Sequence, residues 1–170
     1  LWVIGAEGDK EDDTMQTRTE KGGKNSEGPI GTGLVIERRF TTVGEDPFDQ
    51  FDWIEMDVEI RNADGSLAHR IDDVRLPSGF SGVAGKVLAQ KYLRKAGVPA
   101  ILRKVKEKGV PTWLQRSEPD HEKLQSLDPE KRFIGESHGR ELFRRLAGTW
   151  TYWGWKHGYF EAEADARAYF

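Results

Sequence analysis

The alternation of apolar and charged residues between Trp53 and Arg61 constrains the fold of this chain more than any other feature of the sequence. Apolar side chains recur at every second position from Ile54 to Ile60, and charged side chains occupy the positions between them. This period of two predicts a β-strand with one buried face and one face in water.

A tight turn is predicted directly after this strand. Asp64-Gly65 supplies it, because this dipeptide tolerates the positive φ angles that a two-residue hairpin turn requires. Residues 67–76 then predict the return strand, which Pro77 closes. A two-residue turn sets Val58 opposite Ile71, which keeps the apolar side chains on one face of the hairpin.

The sequence before the hairpin divides into two parts. Residues 1–33 are rich in Gly, Asp, Glu, Lys, Thr and Ser, and they offer too little apolar surface to offset the entropy of ordering them. We therefore expect a disordered extension. Residues 34–40 predict a short strand, so the antiparallel sheet is expected over residues 34–77.

Helical spacing dominates the rest of the chain. A first helix is predicted after Ser78 as its cap, with the apolar residues between 80 and 92 on its inner face. Residues 100–135 contain three prolines and predict short helical turns joined by loops. A second helix is expected from about Glu136 to Lys156. A third helix is expected over residues 161–170. Its helical pattern is cut off at Phe170, so we expect the chain to be truncated.

These elements predict an α+β fold, a small antiparallel hairpin sheet followed by a helical part over residues 78–170. Apolar residues make up 36% and charged residues 32% of the 170 positions, and no apolar run approaches the roughly 20 residues of a membrane span. A cytoplasmic protein without a membrane partner is the expectation. The sequence contains no cysteine, which excludes disulfides, thiolate metal sites and a thiyl radical within this chain.

The charge of the chain is unevenly distributed. The formal net charge is -3 and the isoelectric point is about 5.9, so no DNA partner is expected from bulk electrostatics. Residues 84–116, however, contain nine Lys or Arg and one acid. Either this run is a solvated surface, or it contacts a nucleotide phosphate, a nucleic acid or an acidic partner. The candidate basic patch comprises Lys86, Lys91, Arg94, Lys95, Arg103 and Lys104.

Residues 150–160 contain six aromatic side chains, three of them Trp. A helix that is apolar most of the way round is normally buried on more than one side. Either this segment is a platform that binds a ligand, or another domain covers it, and the second interpretation is favoured. The candidate domain-docking surface comprises Trp150, Trp153, Trp155, Tyr159 and Phe160.

No catalytic, cofactor-binding or metal-binding residue is assigned from the sequence. The four histidines lack the spacing of a shared metal site, and isolated roles are expected for them. The carboxylate pairs Asp72-Asp73 and Glu161 with Glu163 fall at exposed-looking positions, where nothing raises a carboxyl pKa. The nearby glycines of residues 79–85 lack the lysine and hydroxyl residue of a phosphate loop.

Several stretches in the same order resemble one known family. They are residues 40–42, 46–49, 62–66, 73–77, 89–99, 109–117 and, above all, 145–160. They are distributed over roughly residues 34–170 and resemble the N-terminal domain of class II, adenosylcobalamin-dependent ribonucleotide reductases. One departure is at residues 79–82, where the family commonly has Ser-Trp-Ser-Gln and this chain has Gly-Phe-Ser-Gly.

The resemblance implies an accessory domain of an enzyme that converts ribonucleotides to deoxyribonucleotides. In that family, adenosylcobalamin generates a thiyl radical on a cysteine of a catalytic α/β barrel, and the substrate-binding Asn-Ser-Pro segment would begin shortly after Phe170. The implied partner is therefore the barrel of the same polypeptide, with a homodimer and nucleotides as further partners of the parent enzyme. No cofactor is expected on this chain alone, and we do not expect the chain to be active by itself. The alternative is a free-standing module that binds nucleotides or single strands through the Trp-rich helix and the basic run.

Overall fold

The two longest strands form the antiparallel hairpin that the sequence predicts. The computed structural model describes residues 33–170, so the predicted disordered extension, apart from Gly33, lies outside the described residues. Strand β1 (Trp53–Arg61) pairs with strand β2 (Leu67–Pro77). Val58 lies opposite Ile71, as predicted.

The predicted two-residue turn is wrong, because the Gly65 amide donates to the Asn62 carbonyl and the Asn62 amide to the Ser66 carbonyl, so that residues 63–65 form a three-residue loop. A register shift between Ile60 and Arg61 compensates for the extra residue.

Shorter strands and four helices complete the α+β fold, which confirms the predicted fold class for the described residues. Short 3-10 turns lie at Pro47–Gln50, Thr112–Leu114 and Pro129–Lys131. The remaining elements are α1 (Gly82–Lys91), β3 (Val98–Pro99), β4 (Leu102–Lys104), β5 (Ser117–Pro119), α2 (His121–Gln125), β6 (Phe133–Ile134), α3 (Gly139–Lys156) and α4 (Glu163–Tyr169).

The hairpin, α1 and the first half of α3 enclose the first hydrophobic core. Met56 and Val58 on β1, and Val74 and Leu76 on β2, are two positions apart, as the period of two requires. Ile71 also faces this core, because a register shift opposite Asp57 breaks the alternation of β2. Half-buried residues such as Met56 and Leu146 pack around it. The buried members are Val58, Val74, Leu76, Ala89, Leu93 and Leu142.

Helix α1 begins later than predicted, and it turns a different face inward. Ser81 is its cap, with the side chain accepting a hydrogen bond from the Ala84 amide, whereas Ser78 belongs to the turn after β2. The residues that α1 buries are Gly85 and Ala89, while Val83, predicted to face inward, is exposed. The reason is distance, because a Cβ on Gly85 would lie 2.9 Å from the Met56 sulfur and 3.0 Å from a Leu76 methyl group. Only small residues fit so close to the hairpin.

The segment between α1 and α3 contains strands that the sequence did not predict. Strand β3 pairs with β6, and β4 pairs with β5, both antiparallel. These strands have only two or three residues each, too few for a period to be recognised.

The predicted strand over residues 34–40 is wrong. Leu34 makes only an isolated parallel bridge with Phe160, and no regular strand follows it. Its amide donates to the Tyr159 carbonyl and its own carbonyl accepts from the Glu161 amide. The hairpin sheet therefore begins at Trp53, and residues 34–36 are attached to the end of the chain instead.

Candidate docking surface

Helix α3 positions most of the candidate surface, and a capping box fixes its first turn. The His138 Nδ1 atom accepts a hydrogen bond from the Arg140 amide, and the Glu141 carboxylate accepts one from the His138 amide. Burial, together with the nearby charges of Arg140 and Arg75, lowers the pKa of His138. A neutral imidazole is what this cap needs, since only an unprotonated ring nitrogen accepts. The helix begins three residues after the predicted start at Glu136.

The apolar stripe of α3 extends beyond the core that it packs against. Leu142 is buried and Leu146 half-buried in the first core. Trp150 and Trp153 continue this stripe four and seven residues after Leu146, at helical spacing. Both are nevertheless 52% exposed, because the first core follows α3 only as far as Leu146. The docking hypothesis expects exposure of these two side chains.

The opposite face of the same half of α3 packs into a second, smaller core. Tyr152 is buried against Val110 and Leu114, and Trp155 packs at its edge. The Trp155 Nε1 atom donates to the Gly109 carbonyl at 2.6 Å, which holds the indole half-buried. Among the predicted docking residues, Trp155 therefore presents much less free surface than Trp150 and Trp153.

The polar edge of this second core involves a tyrosine with a perturbed pKa. The Tyr152 hydroxyl donates to the Glu107 carboxylate at 2.7 Å. Burial, reinforced by this hydrogen bond and by the carboxylate charge, raises the pKa of Tyr152 to about 12. The phenol is therefore fixed in its protonated form and ties α3 to the loop that contains Glu107.

The last two predicted docking residues follow the end of α3. Tyr159 is largely exposed, while Phe160 is half-buried. The Phe160 ring covers Gly154 so closely that a Cβ there would lie 2.6 Å from a ring carbon. The Tyr169 ring contacts Phe160 with a centroid distance of 5.4 Å and is itself exposed, so it extends the aromatic surface.

An apolar cavity of about 170 Å³ opens beside α3. It lies between the 3-10 turn at Pro47–Gln50, the middle of α3 and the end of α4. Arg144, which the helical pattern places on the polar side of α3, lines it and is an ion-pair partner of Asp46. The lining residues are Pro47, Phe48, Phe51, Phe143, Arg144, Ala147 and Phe170.

The candidate basic patch divides into two groups. Lys86, Lys91 and Lys95 lie exposed on or just after α1. The other three members are engaged. Arg94 pairs with Glu136, Arg103 with Glu118, and the Lys104 ammonium donates to the carbonyls of Trp113 and Gln115.

Glu136 is the buried charge that sequence reasoning missed. Its side chain is only 1% exposed, and it accepts hydrogen bonds from the guanidinium groups of Arg94 and Arg145. Burial alone would raise its pKa, but the hydrogen bonds from Arg145 and Arg94 outweigh this effect and hold the pKa below its ordinary value. No local pattern signals such a site, because Arg94 lies 42 residues away in the sequence.

Two features are absent from residues 33–170. Within this range, no group of three or more His, Cys, Asp or Glu side chains is arranged to hold a metal ion. The helices of the same range include none that is long and apolar enough to cross a membrane.

The sequence matches one protein family over most of its length. A family profile described as class II vitamin B12-dependent ribonucleotide reductase matches residues 55–170. A vitamin B12-dependent ribonucleotide reductase of Bradyrhizobium diazoefficiens is 50% identical over 137 residues, which are 81% of this chain and 11% of the relative. One from Agrobacterium fabrum is 48% identical over 136 residues, and one from Streptomyces avermitilis is 34% identical over 101 residues.

The chain spans about a tenth of the length of these relatives. The matched region includes both cores, the aromatic segment of α3 and all of the hairpin except the first two residues of β1. The chain therefore belongs to the class II, vitamin B12-dependent ribonucleotide reductases and corresponds to the N-terminal domain of that family.

Proposed function

We propose that this chain is an accessory, structural domain of an adenosylcobalamin-dependent ribonucleoside-diphosphate reductase, and that it docks on the catalytic barrel of the same polypeptide. The docking surface is the exposed half of the α3 stripe with Trp150, Trp153 and Tyr159, extended by Phe160 and partly by Trp155. The observation that carries the proposal is the exposure of two tryptophans in a stripe whose other half is core.

The energetics favour a covered surface. Large aromatic side chains bury about 150–250 Å² each, so covering the exposed half of a tryptophan contributes roughly 2–3 kcal/mol. Trp150 and Trp153 together would then contribute about 5 kcal/mol to docking before ordering costs. The relatives are about nine times as long as the aligned part of this chain, so a large partner surface within one polypeptide is consistent with the proposal.

The radical chemistry belongs to the remainder of such a polypeptide. Adenosylcobalamin supplies the radical in the parent enzyme, and the reaction requires cysteines, none of which this chain contains. Among the described residues, the cavity beside α3 does not fit this cofactor, because at about 170 Å³ it is far smaller than a corrinoid. We assign no step of the reaction to a residue of this chain. Homodimerisation and a cytoplasmic location remain part of the proposal.

Nucleotide or single-strand binding is the second candidate function. The exposed tryptophans would stack on bases, and Lys86, Lys91 and Lys95 would attract phosphates. The engagement of Arg94 and Arg103 by carboxylates weakens this alternative. It predicts quenching of Trp fluorescence by nucleotides or oligonucleotides that is lost as salt is added. Unchanged Trp fluorescence on titration with nucleotides or oligonucleotides would rule out this second candidate function.

A chimera tests the docking proposal. In the full-length Bradyrhizobium diazoefficiens relative, the segment aligned with this chain is replaced by this chain. Hydroxyl-radical footprinting then compares the oxidation rates of side chains in the chimera and in the isolated 170-residue chain. We expect the rates of Trp150 and Trp153 to fall about tenfold in the chimera, as for a contact that is closed more than about nine-tenths of the time.

Tyr92 is the internal control. It is as exposed as the two tryptophans but follows α1, so its oxidation rate should be the same in both proteins. Equal rates at Trp150 and Trp153 in the chimera and the isolated chain, with Tyr92 also unchanged, would refute docking through this surface.

A further inference from the structure

We propose that the apolar cavity beside α3 is a socket for one large apolar side chain, Leu, Met or Phe, presented by the catalytic part of the polypeptide. The inference rests on the proposed docking and adds its anchor point. Interfaces of this kind concentrate their binding energy in a few side chains that fill well-packed pockets.

The walls of the socket come from three separate segments. Phe48 and Phe51 belong to the segment before β1, Phe143 and Ala147 to α3, and Phe170 follows α4. Ala147 contributes only a methyl group, so the cavity lies where a larger side chain on α3 would otherwise project. Four of the seven lining residues are phenylalanines, which leaves few groups able to hydrogen-bond with a polar occupant.

The one charged group in the lining is already neutralised. The Arg144 guanidinium is the ion-pair partner of Asp46 and lies over the Phe48 ring at 5.2 Å from its centroid. A carboxylate or phosphate entering the cavity would have to compete with Asp46 for this cation. The chemistry of the site therefore favours an uncharged, apolar occupant over an anion.

The volume fits one side chain. An apolar cavity of about 150 Å³ accommodates a benzene molecule. The socket, at about 170 Å³, is therefore large enough for a phenyl ring or a branched aliphatic side chain, and too small for a nucleoside or a corrinoid. It is open to the surface on one side, so an occupant can enter from a neighbouring structure.

The socket adjoins the docking surface on the same helix. Residues three and four apart are neighbours on a helix surface, which places Ala147 beside Trp150 and Phe143 beside Ala147. Phe51, on the rim of the cavity, is 53% exposed. A partner that covers Trp150 would therefore pass over the mouth of the socket. We assign the occupying side chain to the catalytic part of the same polypeptide. In the relatives, about nine-tenths of the length lies outside the part aligned with this chain.

Footprinting of the chimera tests this inference separately from docking itself. Oxidation of Phe51 and Phe143 should fall about tenfold together with that of Trp150. Protection of Trp150 and Trp153 with unchanged rates at Phe51 and Phe143 would leave docking intact and overturn the socket. Unchanged rates at all four positions would overturn both.

A filled socket provides the second test. Ala147→Phe places a phenyl group in the cavity and so excludes the anchor side chain. Because the loss of one anchor weakens a contact about tenfold or more, the contact in this chimera should be open much of the time. The oxidation rates of Phe51 and Trp150 should then rise to within about twofold of their values in the isolated chain. Ala84→Phe is the matched control. It makes the same change at an exposed position of α1, so the Phe51 and Trp150 oxidation rates in this chimera should stay as low as in the unsubstituted chimera. Full protection in the Ala147→Phe chimera would refute the socket.

Two measurements separate an occupied socket from misfolding and from self-association. Thermal melting of the isolated Ala147→Phe chain checks that it folds. If it does not, Phe51→Ala removes one wall from an exposed position and should reduce the protection of Phe143. Sedimentation of the isolated chain tests a second copy as occupant. A dimer that Ala147→Phe dissociates would overturn the assignment to the catalytic part.

Discussion

Glu136→Gln is expected to destabilise the folded chain strongly, although it only replaces one carboxylate oxygen with an NH₂ group. The Glu136 carboxylate accepts from the Arg94 amide at 2.9 Å and from the guanidinium groups of Arg94 and Arg145 at 2.6 to 3.1 Å. These contacts join the end of α1, the segment before α3 and α3 itself. A glutamine keeps one acceptor oxygen but turns an NH₂ group towards donors.

The size of the effect follows from burial. Breaking a buried ion pair by removing one partner costs about 3–5 kcal/mol. The two arginine side chains are 22% and 20% exposed, so water can partly solvate them once the charge of Glu136 is gone. We therefore expect a loss of about 3 kcal/mol at neutral pH. For a chain of this size, this corresponds to a fall in Tm of about 6–12 °C.

The same carboxylate makes the stability depend on pH. The pKa of Glu136 is lower in the folded chain than in the unfolded chain, so its contribution is complete above the unfolded value near 4.5. It is lost as the pH falls through the folded value. The difference between wild type and Glu136→Gln should therefore shrink in acid, because protonation removes the same charge from the wild type.

Urea unfolding followed by Trp fluorescence, at neutral pH and in acid, measures both effects. Glu55→Gln is the matched control. Glu55 pairs with Arg75 at 2.6 Å, but both side chains are about half exposed, so we expect a loss below about 1 kcal/mol. Equal losses for Glu136→Gln and Glu55→Gln, or a Glu136→Gln difference as large in acid as at neutral pH, would refute the reasoning from burial.

Two further predictions concern the contacts that hold α3 in place. Gly135→Ala should lower the free energy of unfolding by about 1–3 kcal/mol in urea titrations, because its Cβ would lie 2.7 Å from the Lys95 carbonyl oxygen and backbone cannot rotate away. A melting curve identical to wild type would contradict this. Tyr152→Phe should cost about 1–3 kcal/mol through the lost hydrogen bond to Glu107. In the wild type, the raised pKa means that this stability is present below the unfolded pKa near 10 and disappears as the pH rises through about 12. Ultraviolet titration of the four tyrosines, compared between wild type and Tyr152→Phe, should assign the highest pKa to Tyr152.

The hairpin shows how far local pattern can predict structure. The alternation predicts that Val58 faces the core and Met56 lies at its edge, and the predicted pairing of Val58 with Ile71 is observed. Gly65 adopts a φ of +85°, the conformation for which glycine is suited. All of this information lies within the contiguous stretch from Trp53 to Pro77, so no tertiary contact was needed to predict it.

Helix α1 shows where local pattern fails. Its periodicity assigned large apolar residues such as Val83 to the inner face, yet the structure buries Gly85 and Ala89 there. The decisive quantity is the distance from α1 to the hairpin, which the sequence of the helix does not contain. The strands β3 to β6 were missed for a related reason, since two or three residues become a strand only when a distant partner lies beside them.

The sequence by itself determined the α+β class, the hairpin with its pairing of Val58 and Ile71, the existence of α3 and the family resemblance, because these depend on periodicity and order along the chain. The two register shifts of the hairpin were not predicted. The tertiary structure alone decided which side chains of α3 face a core and which face solvent. Trp155 and Trp153 lie two residues apart, yet one packs against Val110 and Leu114 while the other is half exposed. The tertiary structure also decided that Glu136 is buried between Arg94 and Arg145, because burial and charge pairing depend on segments that only folding brings together.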